Sequence, residues 1–156
     1  MTRLAHRNAA KRFALGAAVC VLALSTMTGL AVAATIFGTP GDDTLFGTGQ
    51  PDNIFGLAGN DKIFGLDGDD QLFGNQDDDQ VFGNQGADFL NGGLGNDFLN
   101  GGPGPDTLEG SDGDDTLEGS DGADFLSGGA GFDTCIGGAG PDTFDPTCDV
   151  QIQGAS

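Results

Sequence analysis

An aspartate returns every ninth residue along most of this chain, twelve times without a gap: Asp43, Asp52, Asp61, Asp70, Asp79, Asp88, Asp97, Asp106, Asp115, Asp124, Asp133 and Asp142. No histidine follows His6, so the donors available at this spacing are carboxylate and peptide oxygens. An all-oxygen set suits a hard cation. Calcium accepts six to eight oxygens in tolerant geometry, whereas magnesium demands a near-ideal octahedron, and calcium is therefore the better match. One or two Asp-Gly pairs would signal no more than turns. Twelve phased copies on so acidic a chain favour a metal.

The elements that would position these carboxylates follow from the rest of the period. Counting from Gly38, position 1 is glycine in every unit, position 6 is the aspartate, and position 4 is glycine except at Gln50 and Asp77. Position 8 is always apolar, running Leu45, Ile54, Ile63, Leu72, Val81, Leu90, Leu99, Leu108, Leu117, Leu126, Cys135 and Phe144. Glycine tolerates the positive φ and close backbone approach of a tight turn, which predicts a turn over positions 1 to 6. The last three positions suit a very short strand whose middle residue faces inward. Two units then make an 18-residue coil with a strand on each side. Six such coils stack into an all-β parallel β-roll about 29 Å long at a strand spacing near 4.8 Å. Its core is one apolar residue thick. That cannot offset an ordering entropy of about 1 to 2 kcal/mol per residue, so the coils need cations between them.

These units resemble the glycine-rich nonapeptide G-G-x-G-x-D-x-U-x of the RTX, or haemolysin-type, calcium-binding repeat family. Units beginning at Gly92, Gly101, Gly128 and Gly137 match every fixed position, and DFLNGGLGNDFLNGGPGPD is the densest stretch. The resemblance implies a β-roll in which each calcium sits between two stacked turns, held by the twelve position-6 aspartates and by turn carbonyls. Five gaps on each of two edges set a ceiling of ten ions. Eight units lack glycine at position 2. Gln50 and Asp77 replace the position-4 glycine, which predicts strained turns and weaker calcium binding in the N-terminal half. Additional acids at positions 3 and 5, such as Asp67, Asp69, Asp78, Asp112, Asp114 and Asp121, are expected to be solvated surface and not ligands.

The domain layout is legible from composition. Residues 1–33 read as a secretory signal peptide: Arg3, Arg7, Lys11 and Arg12 precede an apolar run that ends in Ala31-Val32-Ala33-Ala34. The roll then occupies residues 34–145 and a tail or cap residues 146–156. After cleavage no membrane span is expected, and the chain keeps Lys62 as its one basic residue against 24 acids, a formal charge of 1 − 24 = −23. Such a field disfavours nucleic acid and anionic membranes and favours cations. Cys135 and Cys148 are expected to pair in an exported chain and to pin the tail over the end of the roll.

Phenylalanine fills position 9 at Phe46, Phe55, Phe64, Phe73 and Phe82, with Phe37 before them. Outward Phe ladders would shield the sheets or form a contact surface for an unknown protein or surface partner. The chain has neither H-E-x-x-H nor G-x-S-x-G, and no enzyme activity is expected. The expected function is a secreted, extracellular calcium-binding module that folds when calcium binds. The competing reading is an adhesin or matrix scaffold, associated with the cell surface, that calcium rigidifies and whose Phe faces bind a partner.

Overall fold

The computed structural model describes residues 32–154. Apart from Val32 and Ala33, the expected signal peptide lies outside the described residues. No helix forms among those described, and there is none long and apolar enough to cross a membrane.

Fourteen strands follow one another: β1 (Thr35–Phe37), β2 (Thr44–Phe46), β3 (Asn53–Ala58), β4 (Lys62–Asp67), β5 (Gln71–Gln76), β6 (Gln80–Gln85), β7 (Phe89–Leu94), β8 (Phe98–Pro103), β9 (Thr107–Asp112), β10 (Thr116–Asp121), β11 (Phe125–Ala130), β12 (Thr134–Ala139), β13 (Thr143–Phe144) and β14 (Val150–Gln153). Odd-numbered strands β1 to β13 form one seven-stranded sheet, and the even-numbered strands form the other. All pairings between these strands are parallel. Residues 18 apart sit side by side, as in Ile54 beside Leu72 and Ile63 beside Val81. The chain is therefore a β-solenoid of about seven turns, one more than the twelve units supply. The half-unit Thr35–Phe37 opens it and the tail strand β14 closes it.

The core is the expected single file. Ile36, Leu45 and every position-8 residue from Ile54 to Cys135 are buried, and Phe144 packs partly against them at the end. A pleated strand places alternate residues on one face, so position 1, two residues beyond position 8, also points inward. Glycine is the only residue with room there, and from Gly56 to Gly137 these glycines are buried.

Strand length departs from the expectation. From β3 to β12 the strands run six residues, through positions 7, 8, 9, 1, 2 and 3, so the turn proper is only positions 4 to 6. The ladder continues past the inward glycine because Leu57 pairs with Asn75 and Ala58 with Gln76. Position 2 then takes positive φ, at Leu57 (89°), Asn75 (84°) and Ser111 (87°) among others, and this left-handed step turns the chain toward the opposite sheet. Only β1 and β2 are the short three-residue strands expected, and neither Thr39 nor Thr48 after them has positive φ.

Candidate metal centre

Each position-6 aspartate comes immediately before a strand, at the end of its turn. Asp52, Asp70, Asp88, Asp106, Asp124 and Asp142 precede odd-numbered strands along one edge of the solenoid. Asp43, Asp61, Asp79, Asp97, Asp115 and Asp133 precede even-numbered strands along the other. All but Asp142 are buried, at 5% exposure or less. Their burial places them in the stacked rows that the sequence predicts for the turns.

One carboxylate oxygen is used inside each row. The backbone N–H of Asp61 donates to Oδ1 of Asp79 at 2.7 Å, that of Asp79 to Asp97 at 2.8 Å, and that of Asp88 to Asp106 at 2.8 Å, so each aspartate stitches its turn to the one before. The second oxygen behaves differently along the chain. In Asp61, Asp70, Asp79, Asp88, Asp97, Asp106, Asp115, Asp124 and Asp133, Oδ2 is buried and has no hydrogen-bond partner. Leaving an ionised oxygen dry and unpaired is costly. The same unpartnered oxygen recurs nine times, and a cation beside it would balance its charge.

The remaining three aspartates are satisfied by the protein. Asp43 Oδ2 accepts from the N–H of Thr39 at 2.5 Å and from its hydroxyl at 2.8 Å. Asp52 Oδ2 accepts the N–H of Thr48 at 2.5 Å. Asp142 Oδ2 accepts the side-chain amide of Gln153 at 2.6 Å. The twelve positions that look equivalent in sequence are thus two classes.

Burial acts on the first class. It pushes the carboxyls of Asp70, Asp79, Asp106 and Asp115 up from 3.8 to about 7, and those of Asp61, Asp88 and Asp97 to about 6. Asp124 is raised for the same reason. The hydrogen bond from the preceding turn opposes the shift, and neighbouring aspartates add to it. Burial thus disfavours the ionised form of these groups, and a cation beside them would favour it.

Other oxygens converge on the same place. A Cβ built on Gly56 would collide with Asp61 Oδ2 and lie 2.8 Å from the carbonyl oxygen of Gly74 in the next coil. At Gly65 the corresponding pair is Asp70 Oδ2 and the Gly83 carbonyl, the latter at 2.7 Å. The space left by the missing side chain is a cradle lined by a carboxylate and a carbonyl. Among the described residues no three acidic, histidine or cysteine side chains cluster as a metal site by themselves. A cation here would draw on backbone oxygens as well as carboxylates, a mixture that calcium accepts. The position-6 carbonyls contribute to the sheet instead, since Asp52 O accepts from Gln71 N and Asp61 O from Gln80 N, both at 2.9 Å.

The two position-4 exceptions behave differently from each other. Asp77 adopts the left-handed conformation, with φ of 72°, and its turn keeps the interior form, with Asp79 Oδ2 unpartnered. Asp77 also accepts the N–H of Gly59 at 3.0 Å. Gln50 is not left-handed, and its turn is the one closed by Thr48.

The position-3 and position-5 acids named above are exposed, as expected, but three of them are more than solvated surface. Asp78 accepts the N–H of Asn96 at 2.8 Å, Asp114 that of Phe132 at 2.8 Å and Asp69 that of Ala87 at 3.0 Å. Asn60 and Asn96 do the same work between them, which makes a second side-chain ladder on the outside of the Asp43–Asp133 edge. Alternating Asp and Asn at position 5 was its only signal in sequence.

At the end of the roll Cys135 and Cys148 form a disulfide, with Cα atoms 5.8 Å apart. Both are buried in the core file. The outward Phe rows form two stacks: Phe37, Phe55 and Phe73 on one sheet and Phe46, Phe64 and Phe82 on the other, with centroids 4.9 to 5.1 Å apart. Each stack ends on a tilted ring, Phe89 or Phe98.

Comparison with curated proteins returned no match. The model of the RTX calcium-binding nonapeptide repeat, built on four copies of the unit, matches residues 37–72, 46–81, 73–108, 100–135 and 109–144. Those matches run continuously over the twelve units, so the chain belongs to the RTX calcium-binding nonapeptide repeat family.

Proposed function

We propose that this protein is an exported calcium-binding module whose coils close when calcium enters the turns. The observation that carries the proposal is the nine buried Oδ2 atoms without partners, five along one edge and four along the other. Calcium bound beside them supplies the charge that lets them ionise. The position-6 aspartates hold and orient the ion, the glycine at position 1 leaves it room, and the stacked turns exclude water.

The satisfied aspartates refine the expected ceiling of ten ions. A gap is flanked on both sides by an unpartnered Oδ2 four times along the Asp61–Asp133 row and three times along the Asp70–Asp124 row, giving 4 + 3 = 7 gaps. These seven bind first. Gaps involving Asp43, Asp52 or Asp142 bind more weakly, because calcium there competes with Thr39, Thr48 or Gln153.

The module works as a folding switch: expanded where calcium is scarce, closed outside the cell where calcium is about millimolar. No catalytic step is part of this reading. The Phe rows lend the adhesin alternative little support, because the rings stack on one another. Of the eight, only Phe37 and Phe46 remain more than a third exposed. Circular dichroism of the chain lacking residues 1–33, titrated with calcium, tests the proposal. A gain of β signal is expected, and a spectrum indifferent to calcium would sink it.

A further inference from the structure

The tail contains a thirteenth aspartate that breaks the period of nine and yet occupies a position-6 place. Asp149 comes seven residues after Asp142, inside TCDVQIQ, where no nonapeptide unit remains. In space it continues the Asp43–Asp133 row, with its side chain exposed at the end of the stack where the others are buried. It immediately precedes β14, as every position-6 aspartate precedes its strand, and β14 pairs in parallel with β12, Thr134 beside Val150 and Ile136 beside Ile152. The offset is 16 residues instead of 18, so the tail builds half a coil from a shortened connection.

The hydrogen-bond row passes into this half-coil unbroken. The N–H of Asp115 donates to Asp133 at 2.9 Å, and the N–H of Asp133 donates to Oδ2 of Asp149 at 3.0 Å. A second column follows the same path. The Ser120 carbonyl faces the α-carbon of Gly138, and the Gly138 carbonyl faces that of Gly154. Independently, the other oxygen of the last regular rung is unpartnered: Asp133 is fully buried and its Oδ2 makes no hydrogen bond. At the opposite edge the last rung is closed by protein, through Gln153 on Asp142. The two edges therefore end differently, one in a neutral amide and one in a carboxylate.

We propose that Asp149 is a calcium ligand, which together with Asp133 forms a terminal site between the last full turn and the tail. The inference rests on the calcium function proposed above and adds one site beyond those that the nonapeptides supply. The disulfide positions the ligand. Cys148 adjoins Asp149 and is tied to Cys135 in the core of β12, so the carboxylate stays at the end of the row without help from the repeat.

Isothermal titration of the chain lacking residues 1–33 with calcium chloride, on wild type, Asp149→Asn and Asp149→Glu, tests this. Asparagine keeps an acceptor for the Asp133 N–H but loses the charge, so a purely structural role predicts wild-type binding. The terminal-site role predicts that Asp149→Asn loses one ion, or binds it weaker by about tenfold or more, since affinity follows ligand charge. Asp149→Glu should retain it. Reduction of the disulfide should weaken the same ion. Equal stoichiometry and affinity in wild type and Asp149→Asn would overturn the proposal, as would a glutamate variant that behaves like the asparagine one. A wild type that binds no calcium would instead remove the function on which the site depends.

Discussion

The first coil and the interior coils obey the same nonapeptide rule and treat their aspartates in opposite ways. At Asp43 and Asp52 the carboxylate is closed by a threonine four residues earlier. From Asp61 to Asp133 Oδ2 is buried without a hydrogen-bond partner. The residue that differs is position 2. Thr39 and Thr48 lack positive φ and turn their N–H groups onto Oδ2, whereas Leu57, Leu66, Asn75 and Asn84 are left-handed and leave it alone. The first coil is thereby satisfied by protein alone, whereas under the proposed function the middle draws on a cation. A roll with one self-sufficient end has a place from which calcium-driven closure can spread, as expected for a repeat structure whose neighbouring units stabilise each other.

Removing calcium should expose this difference most strongly. Chelation is expected to abolish most of the β signal, because seven doubly vacant gaps lose their counter-charge together. Hydrogen exchange under calcium, followed by slow chelation, should show interior amides such as those of Asp79, Asp97 and Asp115 losing protection before those of Thr39 and Thr48, which donate to Asp43 and Asp52. Loss beginning at Thr39 would reverse the comparison.

Single substitutions separate the two classes next. Asp97→Asn is expected to raise the calcium concentration needed for folding by about tenfold, since one charged ligand is lost from two adjacent gaps. Asp43→Asn should leave that midpoint nearly unchanged and instead lower stability in saturating calcium by about 1 to 3 kcal/mol, the cost of weakening a buried, charge-assisted hydrogen bond. The midpoint comes from a calcium titration and the stability from urea unfolding. Equal behaviour of the two variants would show that the classes have no thermodynamic meaning.

The pH dependence follows from the interior class. Carboxyls raised from 3.8 to about 6 or 7 bind more protons in the closed roll than in the open chain. Their contribution to the metal-free roll is fully present below 3.8 and is lost as pH rises through 6 to 7. Metal-free protein should therefore gain β signal as pH falls from 8 to 5. In the presence of calcium the sign is opposite, because protons and metal compete for the same oxygens, and the calcium midpoint should rise as pH falls from 8 to 6. A calcium midpoint that does not respond to pH would argue against the buried carboxylates as ligands.

The period-9 pattern made the larger part of this architecture legible. Each of Gly56, Asp61 and Ile63 recurs in phase, and one unit placed on a solenoid places all of them. What stayed hidden depends on contacts that the period does not encode. Asp61 to Asp79 is an 18-residue contact between identical residues, so sequence shows that they stack but not that a backbone N–H consumes one oxygen. The closure of Asp43 needed the φ of Thr39, and a threonine at position 2 looked no different from a serine or leucine. Asp149 and Gln153 fall out of phase, since the tail shortens its coil to 16 residues. The six-residue strands stayed hidden because glycine at positions 1 and 4 suggests a turn from position 1 onward, while here the inward position-1 glycine lies within a strand.

Exchanging the first coil's threonines should move that boundary. Glycine adopts positive φ without strain, so Thr39→Gly with Thr48→Gly lets both turns take the interior form. Oδ2 of Asp43 and Asp52 would then be vacant, and the double variant should bind more calcium while depending on it more. Calorimetric stoichiometry decides the matter. An unchanged ion count would assign the closed state of the first coil to its place at the end of the stack and not to threonine.

The smallest effect belongs to the outer faces, where the two halves also part company. Position 9 carries stacked rings up to Phe82 and polar residues from Asn91 to Ser127, where Asn91 donates to Glu109 at 3.1 Å and Asn100 to Glu118 at 2.9 Å. Both ladders lie outside the turns and touch no position-6 carboxylate. Phe73→Ser, which interrupts a ring stack on both sides, should cost about 0.5 to 1.5 kcal/mol of stability in saturating calcium. Asn91→Ser should cost less than about 1 kcal/mol, as for a single cross-strand pair. Neither should change the number of ions bound. If Phe73→Ser lowered calcium stoichiometry, the outer face would be coupled to the turns, and the division between coils closed by protein and coils closed by calcium would have to include the sheets as well.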